Sequence, residues 1–449
     1  MVKEAGHVAH EGRDEKRASG GDPWLIVAGG FHSRGGMDKA NAALATYLLE
    51  RGHTVHLVAH EIDSTLSGHP LARAHVVARP GNSVLLGEQR LSLAASRMMR
   101  ALRAHNPRAR VVANGGNFVS PDINWVHAVH GAWPPSDTGA PLWFRVKNRL
   151  GHALVCRRER GAIRRARLVV ANSERTRRDL VELVGVAPER VRTVYLGGGD
   201  ALASPRERAE ARRWLGVEEA RPVVLFAGAL GHDHNKGFDT LWRAWRELSS
   251  SREWGALLIV AGGGRGLGLW RGRVAGAGLQ DGVRFLDFSE RLPEVLAASD
   301  LLVSPVRYEA YGLNVHEAVC RGVPALVSRC AGVAERYPEA LSEMLLPDPE
   351  DAADLAARLL RWRRSMHVWK EEFQAFAAHL GRRSWSDVAA DIVALAEGER
   401  AQSISKQPAS EGEGVRLSSV DERTRYVSVE QTASSVVAAE VRLVSHEQN

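Results

Sequence analysis

Short apolar runs alternate with longer amphipathic stretches over roughly residues 23–398. The first series is Trp24–Ala28, Thr54–Ala59, Val111–Asn114, Asn124–His130, Leu168–Ala171 and Val191–Leu196. A second series follows at Pro222–Ala227, Ala256–Ala261, Val283–Leu286, Leu301–Ser304, Pro324–Val327 and Met344–Leu346. Consecutive apolar positions are how a strand reads when both of its faces are covered. Helical patterns fill the gaps, as in Lys39–Arg51 closed by Gly52 and Glu174–Val184 closed by Gly185. Glycine there supplies a left-handed residue past the last turn. The alternation predicts an α/β fold with parallel sheets. A Gly-rich then Arg/Glu-rich seam at Gly197–Arg213 separates the two series. It predicts two doubly wound, Rossmann-like domains facing across a cleft, at 23–198 and 199–382. A last helix is expected over 383–398. Residues 1–22 read as a disordered leader, and 399–449 as a flexible tail.

The 449 residues suit two domains, and 44% hydrophobic with 25% charged residues is globular usage, neither a fibre nor a disordered chain. The three cysteines, Cys156, Cys320 and Cys330, form no C-x-x-C pair. This argues against a disulfide framework and a cysteine zinc site, and for a reducing compartment. No apolar run approaches the ~20 residues of a membrane helix, and the charged N-terminus lacks a signal-peptide core. The expected location is the cytoplasm. The net charge of +7 comes from arginine spread along the chain, which does not single out nucleic acid as a partner. An anionic small substrate or an anionic membrane fits the same charge.

Five stretches could carry chemistry. In Gly29–Met37 four glycines lie within eight residues between a strand and a helix. Such a loop lets backbone approach a ligand, although a tight β–α turn reads the same way. His127 and His130 follow the glycine turn Asn114–Asn117. A strand ending near His130 would point them to opposite faces, so a shared metal is not expected. His130 at a strand end suits a sugar hydroxyl; a structural role is the alternative. Lys236 stands in a loop between a strand and an amphipathic helix, where it could meet a phosphate or simply be solvated. In Ser304–Glu317 a strand ends, Gly312 turns the chain, and a helix begins near Leu313 with Glu309 and Glu317 on either side. Its free N–H groups suit a diphosphate. The basic stretch Arg145–Arg167, with apolar residues between the charges, reads either as a packed helix with a solvated basic face or as a helix lying on an anionic membrane.

The segment Glu309-Ala310-Tyr311-Gly312-Leu313-Asn314-Val315-His316-Glu317 resembles the E-x7-E motif of the retaining group 1 glycosyltransferases, the glycogen-synthase-like enzymes of the GT-B fold. The pieces GGMDKAN (35–41), ANSERTRRDL (171–180), GVAPERVRTVYLG (185–197), NKGFDTL (235–241) and GVPALVS (322–328) match in the same order. The resemblance covers nearly all of 23–398. It implies that Glu309 contacts hydroxyls of the donor sugar and Glu317 the nucleoside ribose. The N–H groups of Tyr311, Gly312 and Leu313, with Lys236, would meet the diphosphate. Backbone at Phe288 would read the base, Gly35 and Gly36 would close over the donor, and His130 would lie near the transferred sugar. The helix opened by Arg383-Ser384-Trp385 would cross back to the first domain. Many such relatives carry Gly-Arg where this chain has Gly228-Ala229. His232, His234 and Arg307 are the residues left to replace that arginine.

The implied reaction moves a sugar from a nucleotide diphosphate sugar to an acceptor hydroxyl with retention, needing neither metal nor cofactor. The implied partners are the donor, an unidentified acceptor and, through the basic stretch, the inner face of an anionic membrane. Two rivals remain. One is another enzyme on the same fold, an epimerase or phosphorylase; the other is a non-catalytic binding protein.

Overall fold

Two parallel sheets carry the apolar runs. The computed structural model describes residues 21–405 except 83, 135–141, 200, 232–233, 252 and 287–290. The strands of the first half are β1 (Trp24–Val27), β2 (Gly30–Phe31), β3 (Val55–Ala59), β4 (Glu61–Ile62), β5 (Ala72–Val76), β6 (Arg110–Ala113), β7 (Ile123–Val126), β8 (Leu168–Ala171) and β9 (Val191–Thr193). Seven of them form a sheet in the order β5-β3-β1-β6-β7-β8-β9, while β2 and β4 pair separately. The second half supplies β10 (Val223–Ala227), β11 (Leu257–Ala261), β12 (Val283–Leu286), β13 (Leu301–Ser304), β14 (Ala325–Ser328) and β15 (Leu345–Leu346). Their order is β12-β11-β10-β13-β14-β15. The pairings in both sheets are parallel.

Alternate residues of β1 face different cores. Trp24 and Ile26 pack with Leu44 and Leu48 of the helix Gly36–Glu50, and Leu25 and Val27 pack with Leu91 and Ala95 of the helix Val84–His105. That two-sided burial explains the unbroken apolar reading of the strand. The apolar cluster that includes Trp24 runs on without a break into the second sheet. Both sheets belong to one compact unit of the chain.

Three expectations need correction or refinement. The run Asn124–His130 is a strand only to Val126, and His130 begins a 3-10 turn over His130–Ala132. His127 and His130 therefore do not sit on opposite faces of one strand. The stretch Glu174–Val184 is helical up to Gly185 as expected, but it is an α-helix only over Glu174–Asp179 and widens to a π turn over Leu180–Val184. Gly185 closes it with φ 75°. The last helix runs over Trp385–Ser405, beyond the expected end at 398. Residues 1–20 of the expected leader and 406–449 of the expected tail lie outside the described residues.

Each sheet reverses its strand order once, between β1 and β6 in the first and between β10 and β13 in the second. In open parallel sheets ligands bind beyond the strand ends at such a reversal. The loops at these points carry Gly29–Gly35 and Asn114–Gly116 in the first half, and Lys236 and Glu309 in the second.

Candidate active site

The second-half loops are built to meet. Gly237, which opens the helix Phe238–Leu248, has φ 70°, and a Cβ there would lie 1.8 Å from the Pro305 carbonyl oxygen. Only glycine allows that approach. Arg307 N–H donates to the Asn235 carbonyl at 2.8 Å, and Tyr308 N–H donates to Asn235 Oδ1 at 2.9 Å. Stitched in this way, the two loops hold Lys236 Nζ 2.5 Å from Glu309 Oε2. Both side chains keep part of their surface exposed, so a ligand can reach them.

Gly312 turns the chain with φ 104° and caps the helix Leu313–Cys320. The N–H groups at that helix start have no acceptor within the helix and present a partial positive charge beside the Lys236–Glu309 pair. The Tyr311 side chain is buried, with its hydroxyl 2.9 Å from His316 Nδ1 and 3.3 Å from the Leu196 carbonyl. It anchors the turn, and only its backbone is left for a ligand. Burial lowers the His316 pKa to about 4, so this histidine is a neutral packing residue. Glu317, one turn inside the helix, accepts from Lys39 Nζ at 2.8 Å. Lys39 belongs to the helix Gly36–Glu50 of the first half, so this ion pair spans the two sheets.

Other first-half loops close on the same segment. Gly35 has φ 82° and caps the helix Gly36–Glu50. A Cβ on Gly36 would lie 3.0 Å from Leu313 Cδ2, so this loop touches the helix start. Ser173 Oγ donates to the Ala310 carbonyl at 2.6 Å. The Glu335 carboxylate accepts from Glu174 N–H at 2.9 Å and Arg175 N–H at 2.6 Å. Val129 N–H donates to the Tyr308 hydroxyl at 2.9 Å, which brings the chain next to His130 against the chain next to Glu309.

His130 is held by a residue that sequence reasoning missed. Glu159 accepts from His130 N–H at 3.0 Å with one oxygen and lies 2.7 Å from His130 Nδ1 with the other. The hydrogen bond and charge of this carboxylate raise the His130 pKa above its ordinary value. Glu159 is the single acidic residue between Leu142 and Arg167, and that isolation was the available signal. His127 has a different fate: burial lowers its pKa to about 3, and its ring lies 4.6 Å from that of Trp125.

The expected replacement for the missing arginine is partly overturned. Arg307 makes a two-pronged ion pair with Asp239 at 2.8 Å and 2.8 Å, and its Nε lies 2.7 Å from Glu350. Its guanidinium fastens the loop instead of standing free for a phosphate. His234, at φ 54°, faces Asp239 at 3.7 Å. His232 and Phe288 lie outside the described residues.

Sequence models of two families match the chain. The one described as Glycosyltransferase Family 4 matches residues 34–197, and the one described as Glycosyl transferases group 1 matches residues 221–363. The chain is 33% identical over 212 residues to a D-inositol 3-phosphate glycosyltransferase of Nocardia farcinica, covering 45% of this chain and 47% of the relative. It is 28% identical over 393 residues to the enzyme of that name from Geodermatophilus obscurus, covering 81% and 85%. The chain spans about half the length of the first curated relatives it matches. Among solved structures it is similar to WaaG, a glycosyltransferase involved in lipopolysaccharide biosynthesis, with TM-score 0.67 and 18% identity over 84% of this chain and all of that one. With the GT-B fold in place, residues 34–197 match the Glycosyltransferase Family 4 model and residues 221–363 the group 1 glycosyltransferase model, in that order, and the chain is similar to group 1 GT-B glycosyltransferases in both halves.

Proposed function

We propose that the chain transfers a sugar from a nucleotide diphosphate sugar to an acceptor hydroxyl, with anomeric configuration retained and without a metal. The observation that carries this reading is the Lys236–Glu309 pair, 2.5 Å apart, beside the Gly312 helix start. The pair supports this reading because the reaction calls for one cation and one carboxylate. Breaking the glycosyl–phosphate bond leaves negative charge on the diphosphate, which Lys236 and the helix N–H groups stabilise. Glu309, released when Lys236 turns to the diphosphate, holds hydroxyls of the sugar as positive charge grows on its ring. The leaving phosphate takes the acceptor proton. Glu317 holds the ribose, Gly35 and Gly36 close over the donor, and His130 lines the acceptor side of the sugar. Phe288 is assigned to the base. Work at the inner face of an anionic membrane belongs to the same reading.

A panel of nucleotide sugars in a thermal-shift assay identifies the donor, because a ligand that binds the native state stabilises it. Proton NMR of the product then reads the anomeric configuration, and the assay is repeated with a chelator. An inverted product or a chelator-sensitive rate contradicts the mechanism. Release of nucleoside diphosphate independent of any acceptor favours the rival activities.

A further inference from the structure

The helix Leu142–Ile163 has two unlike faces. One is buried and holds Glu159, Ala162 and Ile163 against the first sheet's side of the cleft. On the other, Leu142 is 73% exposed, Val146 48%, Leu150 68% and Leu154 47%. At 3.6 residues per turn these four side chains fall within about a third of the helix circumference. They form a continuous apolar stripe along three turns, unlike the scattered exposed apolar residues of an ordinary surface. Lys147 and Arg149 stand exposed at its two margins. Glu159, the only acidic residue of the helix, is turned away and engaged with His130. Leu183, 40% exposed, lies beside the helix, where Arg160 donates to its carbonyl at 3.0 Å.

An apolar stripe with basic margins, on a helix that has no exposed carboxylate of its own, is complementary to a surface that is apolar within and anionic at its edge. A protein partner would need an apolar groove ringed by acids. A second copy of this chain would set the same lysine and arginines against themselves. We propose that this stripe docks on an anionic lipid bilayer, so that the cleft takes its acceptor hydroxyl from a molecule carried in that bilayer. Leu150 and Glu159 are nine residues apart, two and a half turns, and so face opposite ways. One helix diameter, roughly 10–12 Å, thus separates the docked face from the carboxylate that positions His130. The acceptor half of the proposal rests on the glycosyl transfer proposed above; the docking half does not.

The test uses the full chain and sucrose-loaded vesicles of phosphatidylcholine with or without phosphatidylglycerol. Sedimentation with the anionic vesicles, and not with the neutral ones, is expected. Leu150→Glu with Leu154→Glu should weaken partitioning roughly tenfold or more, because burial of each leucine is lost and a charge is added. Lys147→Ala with Arg149→Ala should weaken it roughly fivefold per charge removed. Both pairs are exposed, so an unchanged thermal midpoint verifies that each variant is folded. No sedimentation with anionic vesicles at physiological salt overturns the proposal, as does equal binding by the Glu variant. A dimer seen by light scattering, dissolved by the Glu variant without vesicle binding, assigns the stripe to a second copy and also overturns it. For the acceptor, radiolabelled UDP-glucose or GDP-mannose is supplied with vesicles of bacterial total polar lipid. Label in the organic extract supports a bilayer-borne acceptor, and label only in water-soluble product refutes it. A chain that sediments but neither binds nor turns over any donor refutes the transfer reaction and retains the docking surface.

Discussion

Two carboxylates in the cleft are each held by a lysine, and the two pairs do different work. Lys236 and Glu309 come from neighbouring loops of one sheet, so their separation is fixed by backbone that Gly237 and Asn235 hold in place. Replacing either Lys236 or Glu309 by alanine should reduce kcat by about 10²–10³-fold, the usual effect of removing one preorganised charge from a transition state. Steady-state kinetics on both variants, with donor affinity measured separately, reads this directly. Near-normal kcat in both contradicts the assignment. His130 provides a second prediction. The Glu159 carboxylate raises its pKa, so Glu159→Gln should lower the imidazole pKa toward the ordinary value of about 6.5. The sign for stability follows from linkage. A raised native pKa gives stability that is complete below the unfolded pKa and lost as pH rises through the native one. Wild type should therefore lead the Gln variant by more near pH ~5.5 than near pH ~9. Half the imidazole surface is solvated, so the pH-dependent part is small. Histidine NMR titration gives the pKa shift, and urea melts at the two pH values give the stability gap.

At the scale of elements, the sequence showed the longer apolar runs and hid three strands that are very short or largely exposed. β5, Ala72–Val76, is an edge strand whose residues Arg73 and Ala74 are exposed, so its pattern never rises above a loop. β2 and β4 have two residues each, too few for any period to appear. β2 changes the expected glycine loop, since Gly30 and Phe31 pair with Glu61 and Ile62, and Gly29 and the segment from His32 to Gly35 are left free of strand or helix. Lys236, Glu309 and Glu317 were legible because glycine turns mark the strand and helix ends beside them. Glu159 and Lys39 were not, because their partners lie 29 and 278 residues away along the chain. The turn glycines themselves are testable. At Gly237 both the positive φ and the Pro305 carbonyl oppose a side chain. Gly237→Ala should destabilise the fold by more than about 1 kcal/mol, as alanine does where φ is positive. It should also disorder Lys236 and so depress turnover. Gly216, with φ 60° but nothing within reach of a Cβ, is the control. Gly216→Ala carries the conformational penalty alone, so denaturant melts should rank it as the milder change. The reverse ranking would mean that the two loops move apart at little expense.

At the scale of the whole molecule, the sheets are joined by contacts of unequal kinds. Ser173 on Ala310, which is buried, Glu335 on the N–H groups of Glu174 and Arg175, and the Arg383 carbonyl accepting from Gly198 N–H at 2.7 Å are hydrogen bonds that involve backbone on at least one side. The last helix adds an ion pair from Glu397 to Arg110 of β6 at 3.7 Å, so it reaches back to the first sheet. Lys39–Glu317 is different, because both side chains are partly exposed and face the cleft. Such a pair contributes at most about 1 kcal/mol. Its loss leaves the lobes joined by the other contacts. Its position is what matters, since a ribose diol that takes Glu317, as proposed above, competes with the lysine for that carboxylate. Lys39→Ala should then tighten binding of a nucleoside, up to about fivefold if the whole pair is relieved. Added salt should shrink the gap between wild type and variant, because the screened ion pair competes less. Isothermal titration with a nucleoside and its diphosphate, each at low and high salt, separates two outcomes. Tighter binding of both ligands means that Lys39 only guards Glu317. Tighter nucleoside binding with weaker diphosphate binding means that the displaced ammonium moves onto the phosphates and joins Lys236 there. Unchanged affinity for both would show that the ion pair imposes no barrier to a ligand entering the cleft.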